Sequence, residues 1–283
     1  MIEQVSYAKD LRNAAAIRNM DGDEILEKYA AYTSDAFKDA RQLDTIRPLL
    51  IPARNEQDDL PGTLLAAALT GEALPIVLDN QSKDNTARVA RKMGALTVSV
   101  DQGNKMAATQ EGLRFVTREL GAKAAYLTDA DTLIPRGWIR GMTRETEVAD
   151  QGQGSAVFGN ALLWHGASKL TDVVLTSGKL GRALKQSLTN GEVIARGANY
   201  AMQFDEDGNM IDALDSLSPD MFNGDDYHIS QALKSSGANV VNTLSLDTAN
   251  LSRNDRVSSL RQRFMPSYSR RRDAEYTQHY LRE

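Results

Sequence analysis

Two aspartates one residue apart, Asp129 and Asp131, close a short apolar run, Ala124-Ala125-Tyr126-Leu127. The run has no helical spacing and reads as a buried strand that delivers both carboxylates to its C-terminal end. In an extended chain, residues two apart point the same way, so the pair can face one ligand. Mg2+ and Mn2+ suit that chemistry, held by one or two carboxylates while substrate phosphates complete the shell. Asp21-Gly22-Asp23 and Asp205-Glu206-Asp207 repeat the spacing without an apolar run before them, and read as turn or loop. A further acidic pair, Asp225-Asp226, follows Gly224 where a helical pattern begins. Helix capping alone would account for that pair.

The elements that must position these acids alternate along the chain from Arg47. A strand over 48–52 is followed by a helix from 58–61 to Leu69, a strand over 74–78 ending at Asp79, and a helix capped by Asp84 that runs to Met93. Next come a strand over 95–100, a helix over 105–120 and the strand that ends at the acids. Such alternation implies right-handed crossovers and a largely parallel sheet with helices on both faces, with ligands bound beyond the C-terminal strand ends. Asn55-Glu56, Asp79 and Asp129/Asp131 all fall at such ends. After Trp138 the pattern gives a helix to Asp150, a turn at Gly152-Gln153-Gly154, a strand over 156–164 and a helix over 171–188. A strand–turn–strand around Gly197, an acidic loop over 205–220, a helix from 224 to 233 and a strand over 238–246 complete it.

Composition bounds the rest. The 283 residues, 41% hydrophobic and 25% charged, suit one large soluble domain with appendages. A net charge of -5 argues against a general nucleic-acid binder. Without cysteine there is neither a disulfide nor a thiolate zinc site. No apolar run is long enough to span a membrane and no signal-peptide pattern opens the chain, which points to the cytoplasm. Residues 1–45 read as two helices that serve packing or homodimer contact, 46–250 as the α/β domain, and 251–283 as an Arg-rich tail.

The chain resembles the family 2 glycosyltransferases, with their GT-A, Rossmann-like fold. The resemblance rests on IPARNE (51–56), LDNQSKDNT (78–86), GNKMAATQEGL (103–113), TDADT (128–132), RGANYAM (196–202) and GDDYHISQAL (224–233), in the family's order. It implies an inverting transfer of a sugar from a nucleotide-diphosphate donor, most often a UDP-sugar, to an acceptor hydroxyl, with Mn2+ or Mg2+. By the same resemblance Pro52, Ala53, Arg54 and Glu56 line the nucleotide pocket, Asp79 bonds the base and Lys105 lies near the diphosphate. Asp129, Ala130 and Asp131 hold ribose and metal, Gly197 and Asn199 shape the floor where donor meets acceptor, and Asp226 is the catalytic base. Asp226 is preferred to Asp225 because the family's base is the second acid of its pair.

Departures from the family pattern leave some positions open. Asp79-Asn80 stands where Asp-Asp is commoner, and Asn80 takes no role from the resemblance. Where many GT-A enzymes place a late metal-binding histidine, this chain reads Leu246-Asp247-Thr248-Ala249-Asn250. Asp247, Asn250 or solvent would then complete the shell; His228 lies two residues past Asp226, on a different helix face. The basic tail, with Arg261-Gln262-Arg263-Phe264, could close over a diphosphate or contact anionic lipid at the inner face of a membrane, and a solvated helix is the default. A nucleotidyltransferase and a non-catalytic GT-A-fold binding protein are the alternatives. The first lacks its Gly-rich phosphate loop here, and retention of Asp129, Asp131 and Asp226 weighs against the second. No Gly-X-Gly-X-X-Gly follows a strand, so a dinucleotide dehydrogenase is poorly supported.

Overall fold

The computed structural model describes residues 47–101, 104–159, 161–164, 199–219, 225–243 and 248–251. An inner strand, β1 (Arg47–Ala53), carries two prolines, which a strand paired on both sides tolerates only where no ladder bond is lost. β1 runs parallel to β2 (Ala73–Asp79) over its full length, but meets β4 (Ala124–Leu127) only at Leu49↔Tyr126 and Leu50↔Leu127. Leu50 accepts from Thr128 N, so the even residues of β1 face β4. The missing N–H of Pro52 therefore points past the end of β4, into a gap between neighbouring strands.

That gap follows from topology. The main sheet has the order β3-β2-β1-β4-β8-β6-β9, with β3 at Leu96–Ser99, β6 at Ser155–Phe158, β8 at Tyr200–Gln203 and β9 at Asn239–Asn242. The chain moves outward from β1 through β2 to β3, then returns to the other side of β1 as β4. This reversal makes β1/β4 the switch point, where doubly wound sheets open a crevice beyond their strand ends. β8 is antiparallel to both β4 and β6, and β6 is parallel to β9, so β9 runs with β1. A second, three-stranded sheet orders β5 (Thr132–Leu133), β10 (Thr248–Leu251) and β7 (Ala161–Trp164) as β5-β10-β7.

Successive residues of the inner strands bury opposite faces. On one face Leu50, Ile76, Leu78, Leu127 and Phe158 share a core with α3 (Lys105–Arg114), α5 (Asn209–Asp215) and α6 (Asp225–Ser235). The other face meets α1 (Leu60–Ala68) and α4 (Trp138–Ala149), whereas α2 (Thr86–Lys92) packs against α1 and the β2–β3 edge. Each fully buried Leu or Ile stabilises the fold by about 1.5–3 kcal/mol before chain entropy is set against it. α3 continues as a π-helical turn over Phe115–Glu119.

Three expectations are corrected. The single strand read over 156–164 is two, β6 and β7, which enter different sheets. The strand read over 238–246 ends at Asn242, and β10 follows separately. The acidic loop read over 205–220 contains α5, because Asp205 accepts from Asn209 N (2.7 Å) and Met210 N (2.9 Å) and so caps it. Met210 and Leu214, four apart and buried, were the missed helical signal. Among the described residues no helix is long and apolar enough to cross a membrane. The chain divides after Asn250 into two compact units, and only Leu251 of the second is described. The extension over 1–45, the helix over 171–188, Gly197, Asp247 and the tail beyond Leu251 lie outside the described residues, as does the side chain of Asn250.

Candidate functional site

The strand directions bring the candidate residues to one edge of the main sheet. Ala53 ends β1 and Asp79 ends β2, side by side in register. Asp129 and Asp131 follow β4, the neighbour of β1 on its other side. Asn199 precedes antiparallel β8, and the pairing of Leu127 with Tyr200 sets it opposite Thr128. α6 leads into β9 through a turn at Gly237, so its first turn, with Asp226, begins at this same edge. At about 4.8 Å between strands, Asp79 and Asp129 stand on strands roughly 10 Å apart, the span of a nucleoside from base to phosphate.

The loops after β1 and β2 are stitched together. Asn55 N donates to Ser82 Oγ (3.0 Å), Lys83 N to Asn55 Oδ1 (2.7 Å) and Glu56 N to Thr86 Oγ1 (2.8 Å). Asp84 Oδ1 accepts from Thr86 N (2.9 Å), and Oδ2 accepts from Gln57 N (3.3 Å). Helix α2 thus has Asn85, not Asp84, at its N-cap position, and Asp84 ties the two loops from one residue earlier. Burial pushes the Asp84 carboxyl up, but the bonds from Thr86 and Gln57 outweigh it and hold it below the ordinary carboxylate value. Asn55 (φ 56°) and Gln81 (φ 55°) are both left-handed, a conformation uncommon for non-glycine residues and one that asparagine tolerates best. Gln81 Nε2 donates to the Asp101 carbonyl, which fixes its loop against the end of β3. Sequence reasoning gave Gln57, Gln81, Ser82 and Thr86 no part, because only the register of β1 with β2 sets the two loops face to face.

Within this frame, Ala53 is buried and Arg54 exposed, with Pro52 and Glu56 between. Ala53 can meet a ligand only through its backbone, and its carbonyl already accepts from Asn80 N (2.9 Å). Among the described residues, Asp79 Oδ1 and Asn80 Oδ1 are buried without a hydrogen-bond partner. Buried acceptors are rarely left so, and two at a strand end suit an incoming N–H donor such as a nucleobase edge.

Helix α3 opens on Asn104, whose side chain accepts from Ala107 N (2.8 Å) and caps it. Lys105 follows at the first helical position, where the helix dipole disfavours a cation. A carboxylate compensates: Lys105 Nζ lies 2.5 Å from Asp129 Oδ1. A helix N-terminus with a lysine is also a suitable seat for phosphate. Asp129, Ala130 and Asp131 form a turn closed by Thr132 N to Asp129 O (3.2 Å), not the extended segment the alternation argument assumed. The buried Thr63 hydroxyl holds this turn by donating to Ala130 O (2.7 Å). Asp131 is 7% exposed and Asp129 more open. Among the described residues there is no group of three His, Cys, Asp or Glu able to hold a metal. Two all-oxygen carboxylates beside a phosphate seat do fit Mg2+ or Mn2+, which need only one or two protein acids.

Asn199 is fully buried and accepts from Trp138 Nε1 (2.9 Å), so any effect on a sugar floor passes through the indole and the backbone. Asp226 and His228 are half-buried on α6, and Tyr227 between them is 55% exposed. A cavity of about 320 Å³ lies on the far side of α3, against Asp101, Gln110, Arg114 and Asp215, and includes none of the expected site residues.

The model for glycosyl transferase family 2 matches residues 49–202. No curated protein matches the chain by sequence. Among solved structures, the chain is similar to glucosyl-3-phosphoglycerate synthase from Mycobacterium tuberculosis in complex with Mn2+, UDP and phosphoglyceric acid. The two are 17% identical with a TM-score of 0.50, over 83% of this chain and 78% of that one. The same synthase with Mn2+, UDP-glucose and glycerol 3-phosphate is likewise 17% identical at a TM-score of 0.50, over 82% and 78%. At this identity the likeness is one of fold.

Proposed function

The chain belongs to glycosyl transferase family 2, and from that premise we propose that it transfers a sugar from a nucleoside diphosphate sugar, a UDP-sugar first, to an acceptor hydroxyl with inversion. The observation that carries this reading is the gathering of the partnerless Asp79 and Asn80 oxygens, the Lys105–Asp129 pair and Asp131 along one sheet edge. The row has the order a nucleotide needs: acceptors for a base on β2, carboxylates and a cation for ribose and diphosphate beside β4. That the similar synthase is seen with UDP, UDP-glucose and Mn2+ favours uridine and a divalent ion here as well.

Asp131, with Asp129, would hold the ion. When bound, Mn2+ or Mg2+ supplies Lewis-acid neutralisation of the departing diphosphate. Lys105 adds a second positive charge at the α3 N-terminus. Asp226 takes the proton of the acceptor hydroxyl as its oxygen bonds the anomeric carbon, while the bond from that carbon to the diphosphate oxygen breaks and the electron pair leaves with UDP. Attack from the face opposite the leaving group inverts the centre. A positioned base of this kind contributes about 10²–10⁴-fold.

The test is release of nucleoside diphosphate by purified protein with Mn2+ from UDP-glucose, UDP-N-acetylglucosamine, UDP-galactose, GDP-mannose and ADP-glucose. Slow Mn2+-dependent hydrolysis of at least one donor is expected, accelerated by a hydroxyl acceptor. A protein that neither binds nor hydrolyses any of them is not the enzyme proposed here.

A further inference from the structure

Gln110 lies on the face of α3 turned away from Lys105 and is 4% exposed. Its Nε2 donates to two carbonyls more than a hundred residues away, Leu214 O (2.8 Å) and Leu217 O (2.9 Å), where α5 ends. One turn on, Arg114 Nε donates to Asp215 Oδ1 (2.9 Å), and Arg118 reaches the other oxygen of the same carboxylate at 3.6 Å. This row, repeating every four residues, clamps the carboxyl end of α5 onto α3. α5 in turn shares its buried Met210 and Leu214 with Ile229 and Leu233 of α6, the helix whose first turn carries Asp226. The other end of α3 holds Asp129 through Lys105.

One helix therefore ties the donor-side carboxylate to the elements that carry the proposed base. A buried amide that bonds two helix-end carbonyls at once is a stiff link, added at Leu214 O to the bond that this oxygen accepts from Leu217 N (3.2 Å). We propose that Gln110 is a positioning residue for sugar transfer: its amide sets where α5 and α6, and with them Asp226, stand relative to Asp129. This rests on the transferase reading above. It assigns function to a side chain that touches neither donor nor acceptor.

The test compares wild type with Gln110→Met, which keeps the length and removes the donor, and Gln110→Glu, which replaces the donating nitrogen with oxygen. The readouts are UDP release from UDP-glucose with Mn2+, UDP affinity by calorimetry, and hydrogen exchange of amides 226–233. For Gln110→Met, kcat falls between about tenfold and a hundredfold, the scale of a misplacement near 1 Å. UDP affinity stays within about twofold. Exchange quickens in α6 but not in α2. The Gln110→Glu rate relative to wild type rises as pH drops from about 8 to about 5.5, because only the protonated acid can donate. Parallel loss of UDP affinity and kcat, or unchanged exchange in α6, would overturn the proposal. If wild type acts on no donor, the transferase reading fails, and exchange in Gln110→Met then judges the mechanical link alone.

Discussion

At the scale of residues, the acids divide into two duties that separate by experiment. Asp131→Asn is expected to lower Mn2+-dependent UDP affinity tenfold or more, whereas Asp226→Asn leaves affinity within about twofold and lowers turnover by about 10²–10⁴. Calorimetry and single-turnover kinetics read the two apart, and equal loss of affinity in both variants would contradict the roles. Lys105→Met should weaken UDP binding roughly tenfold even with Mn2+ saturating, as a charge-assisted bond is worth about 1.5–3 kcal/mol. Asp84 makes a prediction about pH. Its folded pKa is depressed, so its contribution to stability is present above the ordinary carboxylate value and is lost as pH falls through the folded one. Asp84→Asn should therefore be less stable than wild type at neutral pH, and urea midpoints of the two should converge below about pH 4. Asp84 is half-buried on a surface loop where water still screens it, so the difference is small.

Elements depend on how closely α3 approaches the sheet. Gly112 permits the contact: a Cβ there would stand 2.5 Å from Leu78 Cδ1 and 3.3 Å from Leu50 Cδ1, both in the core. Gly112→Val is expected to destabilise by about 1–3 kcal/mol through overpacking, read as a lower urea midpoint. Because α3 carries Lys105 at one end and Gln110 midway, the same variant should lose transfer activity at temperatures where it remains folded. A full-activity variant with a lowered midpoint would uncouple helix seating from the site. The stitched loops after β1 and β2 follow the same logic, with Thr86, fully buried, as the peg between them.

For the molecule as a whole, the site joins strands separated widely in sequence, so ligand binding should stabilise the sheet as a unit. UDP and Mn2+ together at a hundred times the dissociation constant contribute about 2.7 kcal/mol. For a domain of this size that raises Tm by roughly 5–10 °C. Addition of EDTA should abolish the shift and Mn2+ restore it; an undiminished shift in EDTA would exclude the ion from donor binding.

Local chemistry was legible in the residues themselves. The apolar run ending at Asp129, Asn55-Glu56 beyond a strand, Asp79 at a strand end and Asp225-Asp226 opening a helix all follow from short-range pattern, because strand period and helix caps depend on neighbours in the chain. The resemblance of the ordered motifs to family 2 supplied the kind of reaction. Tertiary structure alone decided what lies between distant segments: that the Asp129–Asp131 unit is a turn pinned by Thr63, that Lys105 pairs with Asp129, that Asn199 meets Trp138. It also decided that 156–164 divides between two sheets and that Gln110 reaches the end of α5. Each of these is set by which strands become neighbours and in what register, a property of the folded sheet that no local window of residues contains.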